Sequence, residues 1–132
     1  MPETLLGFDY GTRRIGVAVG QTLTGTATPL ITLDSENTRP DWEAISTLIR
    51  EWKPAALVVG YPVDTDGSDN AIMEPVKKFA RQLQGRYHLP VHFIDETLTS
   101  IEAARYTGPK FTSEGRNDAT AAAIILETWL NQ

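Results

Sequence analysis

The sequence predicts an α/β protein: a five-stranded mixed sheet, an antiparallel meander continued by parallel strands, with helices on both faces. Three observations lead there. Three β-rich segments follow one another between residues 4 and 33, separated only by short turns. The apolar period then becomes helical over 42–52. From there, short unbroken apolar runs at 56–60 and 91–95 alternate with helical stretches, the pattern of parallel strands joined by crossover helices.

Residues 4–9 and 14–20 are expected as two strands joined by a tight turn around Gly11. Residues 24–33, rich in Thr and other β-formers, make the third. Pro29 marks an edge or a bulge there, because proline donates nothing to a strand ladder. Trp42, Ile45, Leu48, Ile49 and Trp52 fall at helical spacing. Pro40 suits the first turn of that helix and Pro54 ends it. The run 56–60, Ala-Leu-Val-Val-Gly, reads as a central parallel strand. A loop follows over 61–70, holding Pro62, Asp64, Asp66, Gly67, Ser68 and Asp69. Ile72, Val76, Phe79, Ala80, Leu83 and Tyr87 mark a second helix, with Pro75 near its start. Residues 91–95 are the fifth strand, followed by a short helix near 100–106 and an irregular stretch over 107–116. An Ala-rich helix from about Asn117 to Leu130 closes the chain. With 132 residues and neither repeats nor a linker, one domain over 1–132 is expected.

The absence of cysteine excludes disulfides and thiolate metal sites. No apolar run approaches the ~20 residues of a membrane span. The start, Met1-Pro2-Glu3-Thr4, lacks the basic and apolar regions of a signal peptide, so a cytoplasmic protein is expected. The net charge of −5 is unusual for a nucleic-acid partner, whose phosphates attract Lys and Arg. Local clusters weigh more than the sum, and carboxylates that hold divalent metals lower the total.

Acids stand at the ends of elements. Asp9 follows an apolar strand and precedes a glycine turn, a costly place for a carboxylate unless a cation, a proton or hydrogen bonds satisfy it. Asp95 and Glu96 close the fifth strand, and Asp118 opens the last helix. Sites in α/β sheets lie beyond the carboxyl ends of parallel strands. Alternation puts Val91, Phe93 and Asp95 on one face of the fifth strand and His92, Ile94 and Glu96 on the other. One acid of the pair therefore faces Asp9, and alternation alone leaves open which. Each acid also has a plain structural reading: Asp9 as a turn cap, Asp118 as a helix cap or first-turn acid, Asp95 or Glu96 as the cap of a helix near Ser100. Taken together, acids at three element ends point to a metal-binding cluster. His88 and His92 read as structural, and Trp42, Trp52 and Trp129 as core or helix-face residues.

Four motifs then occur in order: Phe8-Asp9-Tyr10-Gly11-Thr12-Arg13-Arg14-Ile15-Gly16-Val17-Ala18; Val59-Gly60-Tyr61-Pro62 with Asp66-Gly67-Ser68; Asp95-Glu96-Thr97-Leu98-Thr99-Ser100 with Glu102-Ala103; and Asp118 followed by Ala121, Ala122, Ile124, Ile125 and Leu126. Through them the chain resembles, over nearly its whole length, the YqgF/RuvX family of RNase H-like proteins, described as pre-16S rRNA nucleases or Holliday-junction-resolvase-like proteins. The resemblance implies an RNase H-like fold, with Asp9, Glu96 and Asp118 as active-site acids and metal ligands. It also implies Mg²⁺- or Mn²⁺-dependent cleavage of a nucleic-acid phosphodiester, with pre-16S rRNA as the expected substrate and DNA as the alternative. Two-metal chemistry of that kind would use Arg13, Arg14, Lys110 and Arg116 at phosphates and Tyr10 at a sugar or base. Thr97 departs from the family pattern, which usually has an Arg there to bind phosphate or orient Glu96.

Three rival readings remain beside this one. Asp9-Tyr10-Gly11-Thr12 resembles the phosphate turn of actin-like and sugar kinases, but those close ATP between two lobes and this chain has the length of one. A Holliday junction resolvase needs paired cuts and hence a dimer, and the sequence leaves the oligomeric state open. A non-catalytic nucleic-acid-binding module would keep the fold without the chemistry.

Overall fold

A computed structural model describes residues 3–11, 13–34, 39–61, 73–95 and 118–132. Its strands are β1 (Thr4–Tyr10), β2 (Arg14–Gln21), β3 (Thr26–Asp34), β4 (Ala56–Tyr61) and β5 (Val91–Asp95). Its helices are α1 (Trp42–Trp52), α2 (Met73–Tyr87) and α3 (Asp118–Leu130). The strands form one sheet in the order β3-β2-β1-β4-β5. β1 to β3 pair antiparallel, whereas β4 is parallel to both β1 and β5, as the sequence predicts. The short helix expected near 100–106, the irregular stretch 107–116 and the loop beyond Tyr61 lie outside the described residues.

Strand alternation sorts the core into two layers. On β1, Leu6, Phe8 and Tyr10 join one buried cluster with Ile45 of α1 and Val76, Phe79 and Leu83 of α2. Leu5 faces the other way, packing with Val58, Ile94 and the α3 residues Ile125 and Leu126. Helices therefore cover both faces, and β1 and β4 are buried on both sides. Continuous apolar runs are the result. α3 is apolar nearly all round because residues Ala119 and Ala122 to Leu126 are all buried.

Local chemistry sets the boundaries. β3 starts at Thr26, two residues later than the sequence reading, because Thr22 to Gly25 form the hairpin turn. Gly25 has φ +67° and its N–H bonds the Gln21 carbonyl at 3.0 Å. Pro29 stands on an edge strand and beside a bulge: Val17 pairs with Ile31 and Ala18 with Pro29, so Leu30 is the extra residue. The N-cap of α1 is Asp41, whose Oδ1 accepts from the Ala44 N–H at 3.1 Å. Pro40 thus precedes the cap instead of lying in the first turn. Lys53 ends α1 in the left-handed region with φ 48°, immediately before Pro54. Pro75 lies in the first turn of α2, where its missing N–H costs no helical bond.

α3 lies unusually close to the sheet. A Cβ added to Gly16 would overlap the backbone carbonyl of Asp118. One added to Gly7 would stand 2.8 Å from the Leu126 Cβ. Gly16→Ala is therefore expected to push the start of α3 off β2 and to destabilise the fold by about 3 kcal/mol. Urea denaturation of the variant against wild type measures this, and a midpoint equal to wild type would refute the contact.

Candidate active site at the carboxyl edge of the sheet

Asp9 is the penultimate residue of β1 and is half-buried. Its Cα partners on the two neighbouring strands are both glycines, Gly16 of β2 and Gly60 of β4. No side chain rises from either, and the space this leaves over Gly16 is taken by the start of α3. By alternation it shares a face with Leu5 and Gly7, the face that α3 covers.

Asp118 reaches the same place from the other direction. It is the first residue of α3, and its backbone carbonyl rests over Gly16, the cross-strand partner of Asp9. The neighbouring Ala119 N–H donates to Thr32 Oγ1 of β3 at 3.2 Å, tying down the start of the helix. The structure thus brings Asp9 and Asp118 together on one face at one edge. Arg14 Nε lies 3.1 Å from Asp118 Oδ2, with side chains 62% and 21% exposed respectively. Arg14, at the start of β2, therefore balances Asp118. Arg13 is exposed in the turn beside them.

The other sequence-predicted positions are distributed differently. Tyr10 packs on the opposite face of β1 from Asp9, 9% exposed, its ring 5.0 Å from that of Phe79. Burial raises its phenol pKa above the ordinary 10.0. His92 stacks on Trp129 of α3 with ring centroids 4.7 Å apart and planes at 17°, a packing role. Trp42 is a partly buried part of the core layer, whereas Trp52 is 38% exposed. Glu96, Lys110 and Arg116 lie outside the described residues, as does Thr97. Among the described residues no group of three His, Cys, Asp or Glu converges as a metal site. Sequence reasoning passed over Gly16, Gly60 and Thr32. Its available signal was glycine inside a strand, which marks a close approach of backbone.

A five-stranded sheet in this order, with helices on both faces and acids at its carboxyl edge, defines an RNase H-like protein. Solved structures agree on the fold. RuvC from T. thermophilus in complex with a Holliday junction substrate matches with a TM-score of 0.61 at 17% identity, over 97% of this chain and 93% of that one. The Fowlpox virus resolvase bound to Holliday junction DNA gives 0.60 at 11% identity, over 97% of each chain. Residues 3–132 match the sequence profile of the RuvX family, described as Holliday junction resolvase, and the chain belongs to that family. Relatives include proteins named "Putative pre-16S rRNA nuclease" from Azotobacter vinelandii, 49% identical over 98% of this chain and 94% of that protein. Another, from Methylococcus capsulatus, is 50% identical over 97% and 88%.

Two outcomes follow from this geometry. The Arg14–Asp118 pair is partly exposed, so a double-mutant cycle with Arg14→Ala and Asp118→Asn should give a coupling of about 0.5–1 kcal/mol that shrinks as salt rises. For Tyr10, the raised pKa favours the neutral phenol in the folded state. Its contribution to stability is therefore complete below pH 10 and lost as pH climbs through the folded-state value. Urea midpoints followed from neutral pH to about pH 11 should fall less steeply in Tyr10→Phe than in wild type.

Proposed function

We propose that the chain is a metal-dependent nuclease that hydrolyses a phosphodiester of RNA and trims the 5′ end of pre-16S rRNA. The observation that carries this reading is the meeting of Asp9 and Asp118 on the α3 face, with α3 seated over Gly16. Relatives at about half identity, named for pre-16S rRNA, support the choice of substrate. In this reading the protein works in the cytoplasm.

The donor set fits a hard divalent cation. Asp9 and Asp118 offer only oxygen, and the chain has no thiol. Mg²⁺ and Mn²⁺ prefer such ligands. Glu96 is proposed as the third ligand because the resemblance to the YqgF/RuvX family implies it. One or two such ions, when bound, activate water and neutralise charge at the phosphate. The protein supplies rigidity and countercharge. Asp9 is fixed by two strand ladders and Asp118 by the helix start. Arg14 and Arg13 place positive charge beside the acids, where a phosphate would approach, with Lys110 and Arg116 proposed as further phosphate contacts.

The family description favours a second reading, cleavage of four-way DNA junctions. Both readings are tested by one assay with Mn²⁺, comparing an RNA carrying the 5′ precursor segment with a four-way DNA junction. Wild type is expected to cut the RNA. Asp9→Asn, which preserves shape while removing charge, is expected to be slower by about 100-fold or more, the scale on which loss of one electrostatic stabiliser acts. Equal cleavage by the two proteins would sink the catalytic assignment, and cleavage of the junction alone would transfer it to DNA.

A further inference from the structure

On the face opposite Asp9, a groove of about 840 Å³ lies between α2 and the segment that leads into α1. It plays no part in the chemistry proposed above. Arg39, Lys78, Arg81 and Arg86 line it, four of the twelve Lys and Arg in a chain of net charge −5. Among its described lining residues Glu74 is the single acid, and Glu74 lies 3.9 Å from Lys77. Among the described residues none of Arg39, Lys78 and Arg81 has a carboxylate partner. Cations gathered without carboxylate partners among the described residues repel one another, a cost that a polyanion would relieve.

The groove is also ordered for that partner. Lys78 and Arg81 are three apart on α2 and share a face, and Arg86 follows about two turns on from Lys78, rotated by about 80°. From Lys78 to Arg86 the stripe is about 12 Å long, room for two or three consecutive phosphates. Arg86 is held by an aromatic floor: its Cζ stands 4.2 Å over the Trp42 ring, and Trp42 stacks on Phe79 with centroids 5.7 Å apart. A guanidinium fixed by its face presents its N–H edge outward, the geometry that suits a phosphate.

The groove opens beside the acids. α2 follows β4, which runs parallel to β1, so α2 begins at the carboxyl edge where Asp9 stands. Tyr10, the residue after Asp9, lines the groove together with Pro75 from the first turn of α2. We propose that this groove is a second track for the phosphate backbone of RNA, taking up the strand where it passes over the carboxyl edge from Asp9. The proposal rests on the nuclease reading above.

The test measures binding of a labelled single-stranded RNA by fluorescence anisotropy, in EDTA, across a salt series. Lys78→Ala/Arg81→Ala removes two exposed charges. It is expected to weaken binding about 10-fold and to make the slope of log affinity against log salt shallower by about 1.4. With Mn²⁺ the same variant should raise KM and leave kcat unchanged. Arg39→Ala, on a different segment, should act in the same direction at half the slope change. Arg50→Gln/Lys53→Asn, two cations at the far end of α1, should leave the slope within error of wild type. Equal affinity and slope in Lys78→Ala/Arg81→Ala and wild type would overturn the track and leave the nuclease reading standing. A changed oligomeric state in sedimentation with unchanged RNA binding would overturn it in favour of an interface between copies. A wild-type protein that neither binds nor cuts RNA would remove the nuclease reading itself.

Discussion

The approach of α3 to the sheet is the constraint on which the rest depends. Gly16 and Gly7 carry no Cβ, and the helix occupies the space a side chain would fill, with Asp118 over the first and Leu126 over the second. Small residues on the helix complete the fit, since Ala122 and Ala123 are buried against Ala18. Close packing of this kind leaves little room for the helix to slide or lift. The position of Asp118 relative to Asp9 is therefore set largely by backbone packing, with the Ala119–Thr32 hydrogen bond and the Arg14–Asp118 ion pair added to it. The helix start that carries Asp118 is thus held at the cross-strand partner of Asp9 by the packing beneath it.

Most of the architecture was legible because period and punctuation agreed. The switch from β-rich segments to helical spacing at Trp42 located the first helix, which spans 42–52. The unbroken run at 56–60 announced a strand buried on both faces, which β4 is, between β1 and β5. Pro29 announced an edge or a bulge, and both occur. What escaped was local. Pro40 lay one step outside the helix because the Asp41 carboxylate is the stronger cap. The β-propensity of the Thr-rich run draws Thr24 and Gly25 into the expected strand, whereas in the structure the glycine's turn conformation prevails.

For the candidate site, the sequence located Asp9 and Asp118 at the ends of their elements but gave no distance between them. Proximity is a property of the β1–β2 register and of the α3 seat. The register is local, from Tyr10 opposite Ile15 to Thr4 opposite Gln21, but the seat joins residues about a hundred positions apart, which no local pattern records. Tyr10 illustrates the same limit at short range. One residue from Asp9, it belongs to the other layer, because successive side chains of a strand point to opposite faces. Arg14 is expected at a phosphate, and in the structure it is the partner of Asp118.

The bulge at Leu30 has a consequence for how this molecule meets others of its kind. β3 is an outer strand of the sheet, and an outer strand with regular spacing offers its unpaired backbone groups to any passing chain. Here the extra residue breaks the repeat midway along β3, and Pro29 beside it has no N–H to offer. A foreign strand laid along this margin would find its hydrogen bonds out of phase after a few residues. The irregularity thus acts as a selvedge: it finishes the woven sheet on that side and keeps it from lengthening into a fibre.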